Sequence, residues 1–209
     1  MARKKVDKPV KEMLVIFVEG DADEIIINRL LDYYRDNGWH TNVSIKVVNT
    51  HGFPNETKMK SQLTRINVTE TKKNIQFKAV CCEYDTDIFD KGIQNMPDWK
   101  KIEKNLKNDF YMLNFCRIEA KTSIEDWLLD DSEGLLKALN LPLDTTIKGT
   151  SGQDKVKKLF KKRNIMYDRF KGKEKIKPYL DKLDISKVAK NRKNELKELK
   201  NILNVNNQL

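Results

Sequence analysis

The sequence predicts an α/β fold, a mostly parallel sheet with helices on both faces, followed by a basic and mainly helical C-terminal region. Three observations carry that prediction. Apolar runs of strand length alternate with stretches of helical spacing in the order β-α-β-α-β-α-β-α, which sets strands side by side in parallel and helices against the sheet. The first run, Met13-Leu14-Val15-Ile16-Phe17-Val18, has no polar interruption, as a strand buried on both faces requires. Basic charge is concentrated after residue 147: residues 148–209 hold 19 Lys and Arg against 7 Asp and Glu, while residues 1–147 hold 22 against 24.

Residues 1–12 mix basic and apolar side chains and read as an N-terminal arm, with a catalytic-type α/β domain over 13–147 and the basic region over 148–209. The first strand stops at Glu19-Gly20. Ile25, Ile26, Leu30, Leu31 and Tyr34 then mark a helix over Asp21–Asn37, closed by Gly38. Val43–Val48 is a second strand, and Thr50–Asn55 a turn cluster. Met59, Leu63 and Ile66 mark a helix over Glu56–Thr71. Ile75–Cys82 is a third strand, with Glu83-Tyr84-Asp85-Thr86-Asp87 as its exit. A short helix over Trp99–Lys107 and a fourth strand over Phe110–Ile118 follow, then a helix over Ser123–Leu139. Beyond Pro142, Gln153–Lys162 reads as a basic helix, Asn164–Lys177 as irregular, and Ile185–Leu203 as one amphipathic helix.

Composition excludes several classes. With 39% hydrophobic and 34% charged residues among 209, the chain can build a core but has no apolar run approaching the ~20 residues of a membrane span. The start lacks an apolar stretch of the secretory kind. Cys81, Cys82 and Cys116 all lie in apolar runs and read as buried free thiols in a reducing cytoplasm. No CxxC or CxxH pair occurs, and the only histidines are His40 and His51, so a zinc site of soft ligands is excluded. Trp39, Trp99 and Trp127 read as core anchors. The net charge of +10 and its asymmetry point to a polyanionic partner; a solvated lysine face over an apolar stripe is the competing reading of both basic helices.

Three acidic groups fall at strand exits or at the next helix start: Glu19, the pair Asp85 and Asp87, and Glu125 two residues after Ser123. In a parallel sheet the C-terminal ends of all strands open on one edge, where ligands collect. Gathered carboxylates repel one another unless a cation balances them, and oxygen-only ligands suit Mg²⁺ or Mn²⁺. Such a cluster can hold two ions about 4 Å apart for phosphodiester cleavage. Taken singly, Asp85 and Asp87 are also ordinary turn formers, and Ser123 with Glu125 an ordinary helix start.

A strand running into Glu19-Gly20, a later strand ending in Asp85-x-Asp87, and Ser123-x-Glu125-x-Trp127-Leu128-Leu129 together resemble the Toprim domain, more specifically its OLD-type and RloB-like nuclease branch. The resemblance covers Met13–Asp131 and, more loosely, Lys148–Tyr179. It implies a Toprim-like, Rossmann-like sheet, with Glu19, Asp85, Asp87, Ser123 and Glu125 as ligands of Mg²⁺ or Mn²⁺. It also implies a later lysine at the phosphate, for which Lys148 and Lys155 both qualify and Lys155 is preferred. No active-site tyrosine in a strand-passage domain accompanies these residues, and no G-x-x-x-x-G-K-[ST] motif occurs. The implied protein is therefore a stand-alone chain rather than a topoisomerase, working beside a separately encoded ATPase partner. Separately, Ile185–Leu203 reads as a dimerisation helix, which would make the protein a homodimer.

The expectation is a metal-dependent nuclease, acting on DNA or RNA (tRNA included) in phage defence. Its catalytic residues would be Glu19, Asp85, Asp87, Glu125 and Lys155, and its nucleic-acid contacts Lys148, Lys155, Lys158, Lys162 and Arg163. The alternative is a non-catalytic module of the same fold that docks on nucleic acid or on an ATPase.

Overall fold

The computed structural model describes residues 11–39, 43–70, 75–92 and 94–205; apart from Lys11 and Glu12, the arm expected over 1–12 lies outside them. Four strands, β1 (Lys11–Val18), β2 (Ser44–Asn49), β3 (Ile75–Asp85) and β4 (Asn114–Ala120), form one sheet in the order β2-β1-β3-β4. Every pairing is parallel, so the fold is α/β. β1 is central, and its stretch from Met13 to Val18 is buried, as its unbroken apolar run requires.

Strand alternation splits the core in two. On one face Leu14, Ile16, Val18, Ala79 and Cys81 pack with α1 (Asp21–Asp36) and with the helices that follow β4. On the other, Met13, Val15, Phe17, Val80, Cys82 and Tyr84 pack with α2 (Glu56–Glu70) and α4 (Trp99–Phe110). The one-turn helix α3 (Asp87–Asp90) lies between β3 and α4. Helices thus cover both faces, and Trp39, Trp99 and Trp127 are all buried.

The departures from the sequence expectation have local causes. β3 continues past Cys82 to Asp85 because Glu83, Tyr84 and Asp85 keep pairing with Ile118, Glu119 and Ala120; the acid at 83 is inside the strand, not its exit. Phe110 closes α4 instead of opening β4, since Tyr111 takes a left-handed conformation (φ 51°) and its N–H bonds back to Lys107. The helix expected over Ser123–Leu139 is divided into α5 (Ile124–Leu128), a 3-10 turn (Leu129–Asp131) and α6 (Ser132–Ala138). The division falls at Asp131, whose carboxylate accepts from Gly134 N–H at 3.2 Å and starts a new helix.

In the basic region, α7 (Gly152–Lys161) matches its expected span, while α8 (Lys173–Leu180) extends into a segment read as irregular. The last amphipathic stretch is two helices, α9 (Ile185–Asn191) and α10 (Lys197–Leu203). Between them Arg192 donates to both oxygens of Asp130 at 2.6 and 3.0 Å and to the Asp126 carbonyl at 3.1 Å. Val188, Leu196, Leu199 and Leu203 are buried in the same core as β1, so this apolar stripe packs inside the chain rather than lying open as a dimerisation face. The cysteine reading is corrected as well. Cys81 and Cys116, neighbours on β3 and β4, form a disulfide, and only Cys82 is free. Among the described residues no helix is long and apolar enough to cross a membrane.

Candidate metal centre

The ends of β1 and β3 and the starts of α1 and α5 meet at the C-terminal edge of the sheet, and each delivers an acid there. Glu19 follows β1 and is buried; its Oε1 accepts from the backbone N–H of Asp85 at 3.2 Å. Asp85 ends β3, with Oδ1 accepting from Ile124 N–H at 2.9 Å at the start of α5. Glu125, in the first turn of α5, accepts from the Tyr167 hydroxyl at 3.2 Å. Asp23, in the first turn of α1, and Glu83, two residues before Asp85 on the same face of β3, are fully buried beside them. Oxygens from Asp23, Glu83 and Asp85 all lie within 4.8 Å of one another.

Among the described residues, one cation enters this group. Arg169, between α7 and α8, hydrogen-bonds Asp85 through Nη1 and Asp23 through Nη2, the latter at 2.8 Å. Glu19 lies 3.6 Å and Glu125 4.0 Å from the same guanidinium. Its own carbonyl accepts from Asp21 N–H at 2.6 Å, at the first turn of α1. That approach requires Gly20, because a Cβ there would lie 2.5 Å from the Arg169 oxygen. Gly20→Ala is therefore expected to cost about 1–3 kcal/mol, the range for forced overpacking, and to loosen the Arg169 segment; urea denaturation measures it.

Five buried carboxyl groups crowd around this one guanidinium, and the balance shows in the proton affinities of four of them. Burial raises Glu19 from its ordinary 4.5 to about 7, although Arg169 pulls the other way. Burial also raises Asp85, Glu125 and Glu83, with Arg169 again opposing it. Arg169 itself is disfavoured by burial but held well above its ordinary value by Asp23, Asp85, Glu125 and Glu19. Both oxygens of Glu83, Oδ2 of Asp23 and Oε2 of Glu125 are buried with no hydrogen-bond partner. Orphaned, desolvated carboxylate oxygens of this kind cost several kcal/mol unless protonated or bound to a cation.

A pH dependence follows. Between 4.5 and about 7 the folded chain holds a proton on Glu19 that the unfolded chain releases, so Glu19 favours folding at low pH and this contribution is lost as pH rises through about 7. In a chelating buffer, stability is expected to decline across that window, and Glu19→Gln to flatten the decline, read from urea midpoints at successive pH values.

The sequence expectation and the geometry overlap in part. Glu19, Asp85 and Glu125 converge. Asp87 opens α3 and pairs with Lys91 at 2.6 Å, close enough to raise Glu19 slightly but with no bond into the cluster. Ser123 precedes α5 and donates to Asp126 at 3.1 Å. Lys155 and Lys148 do not reach the carboxylates; they line a surface groove on α7 together with Lys158 and Lys162. Arg163 is exposed and outside that groove. The cation at the carboxylates is Arg169.

Four members were missed. Asp23 stands four residues after Glu19, and Glu83 two before Asp85; helix and strand periods place both toward the same edge, so this signal was present. Arg169 and Tyr167 come from a loop with no local pattern, brought in only by the fold. The set can carry a hard cation: its donors are all carboxylate oxygens, the ligands Mg²⁺ and Mn²⁺ prefer, and four of those oxygens accept no hydrogen bond. Comparison of the chain with protein-family models, with curated proteins and with solved structures finds no match to any of them.

Proposed function

We propose that this chain is a Mg²⁺- or Mn²⁺-dependent nuclease of Toprim type that hydrolyses phosphodiester bonds at the carboxylate cluster. The observation that carries the reading is the convergence of Glu19, Asp23, Glu83, Asp85 and Glu125 at the C-terminal edge of a parallel sheet, with buried oxygens left unpartnered. Asp23, Glu83 and Asp85 would hold the ion. When bound, a divalent ion supplies a water of lowered pKa and a Lewis acid for a phosphate oxygen.

The chain's own groups supply the rest. Glu19, with a proton affinity poised at about 7, suits a general base near neutral pH. It is oriented by the N–H of Asp85. Glu125 is fixed by Tyr167 and Asp85 by Ile124 N–H, so the acids are preorganised by the scaffold. Arg169 would offer the positive charge that the resemblance assigned to a lysine.

A second reading draws on the ion pairs of Arg169 with Asp85 and Asp23: the cluster is a structural lock in a non-catalytic nucleic-acid-binding module. Incubation of the chain with end-labelled DNA and RNA separates the two. Cleavage that requires Mn²⁺ or Mg²⁺, stops with EDTA and is lost in Glu19→Gln supports the nuclease. Metal-independent binding with no cleavage of any substrate supports the module.

A further inference from the structure

Two concavities flank the C-terminal half of α7 and share Lys161. The first, about 540 Å³, is lined by Thr146, Lys148, Lys155, Lys158, Lys162 and the buried Leu159. Lys155, Lys158 and Lys162 recur at helical spacing, so their ammonium groups stand along one face of α7 opposite the 146–148 loop. Lys158 is paired with Asp154 at 2.7 Å; Lys148, Lys155, Lys161 and Lys162 enter no ion pair among the described residues. The second, about 360 Å³, is lined by Lys157, Asn164, Ile165, Met166 and Tyr167. Met166 is 71% exposed, an unbranched apolar side chain standing free at the mouth of a cation-flanked hollow.

We infer that these two concavities together bind single-stranded nucleic acid, with phosphates along the lysine groove and one unpaired base against Ile165 and Met166. Charge complementarity chooses a polyanion, since unpaired ammonium groups line the first groove and flank the second. The apolar hollow chooses the strand state: a base reaches such a surface only when it is unstacked, as it is in a single strand whose backbone follows a basic groove. A duplex keeps its bases inside and offers the hollow nothing. Asn164 adds an amide for a base edge.

The surface also lies next to the carboxylates. Tyr167 floors the hollow and donates its hydroxyl to Glu125. α7 starts against α5 so closely that a Cβ on Gly152 would lie 2.6 Å from the Asp126 carboxylate. This inference deepens the nuclease reading by naming the strand state of the substrate, yet it is tested without metal, so failure of binding and failure of cleavage are read separately.

The test is fluorescence anisotropy of the full chain in EDTA with labelled oligothymidine, oligouridine and a duplex of equal length. The expected result is tighter binding of a single strand than of the duplex, weakening steeply with salt, with the two oligonucleotides deciding between DNA and RNA. Lys155→Ala/Lys162→Ala is expected to weaken single-strand binding about tenfold. Met166→Ala is expected to weaken it about threefold to tenfold while leaving duplex binding unchanged. These side chains are exposed or half-buried and unbonded, and circular dichroism checks that the variants stay folded. Equal or tighter duplex binding, a Met166→Ala variant identical to wild type, or preference for phosphatidylserine vesicles over every oligonucleotide would overturn the inference.

Discussion

Replacing Arg169 with methionine is expected to destabilise the metal-free chain by about 3–5 kcal/mol at neutral pH, the cost of removing one partner from a buried ionic group. The side chain is almost fully enclosed and, among the described residues, is the only cation bonded to Asp85 and Asp23, with Glu19 and Glu125 at 3.6 and 4.0 Å. Methionine keeps most of the volume but leaves five buried acids with no counter-charge. The loss depends on pH in a definite direction. As pH falls, Glu19 protonates below about 7, and Asp85, Glu125 and Glu83 are likewise raised by burial, so the deficit should shrink in acid. Added Mn²⁺ should also recover part of it, by mass action on a cation site of the folded state. Urea denaturation at successive pH values, with and without Mn²⁺, measures both. A variant as stable as wild type at neutral pH would mean that the acids are held neutral and that Arg169 is incidental.

The second large effect is on activity. Asp85→Asn is expected to lower metal-dependent cleavage by about 100-fold or more, in the range seen when one preorganised electrostatic group is removed, while costing only about 1–3 kcal/mol of stability. The asymmetry follows from the two oxygens. Asn retains a carbonyl to accept from Ile124 N–H, and Asp23, Glu19 and Glu125 still surround Arg169. What disappears is one anionic ligand of the set formed with Asp23 and Glu83. Single-turnover cleavage alongside urea denaturation reads both quantities on one preparation. Loss of folding in step with loss of cleavage would assign Asp85 a structural task.

Much of the fold was legible because its signals are local. The apolar run of β1, the spacing of α1 and the alternation of strands and helices each follow from side-chain periodicity, and they placed Glu19, Asp85 and Glu125 at one edge. The misplacements lie where a residue serves two patterns. Glu83 is an acid yet sits inside a strand, and Phe110 and Met112 are apolar yet flank a left-handed turn at Tyr111. Asp131 both caps α6 and accepts from Lys187 and Asp184 N–H, tertiary contacts that no window of sequence shows. Arg169 was the least legible. Its role comes from a loop more than 140 residues from Asp23 in the chain, and one arginine among 41 basic residues carries no mark of where it goes. Lys155, the preferred later lysine, lines a surface groove on α7 instead.

The central claim, that the buried acids form a divalent-cation site, is tested most directly by calorimetric titration of Mn²⁺ into wild-type chain and Asp85→Asn above pH 7, where Glu19 is ionised. Saturable binding in the wild type, weakened at least about tenfold in Asp85→Asn, is the expected result. Absence of binding in the wild type, or identical isotherms for the two proteins, would contradict it and leave the cluster as an ionic lock closed by Arg169.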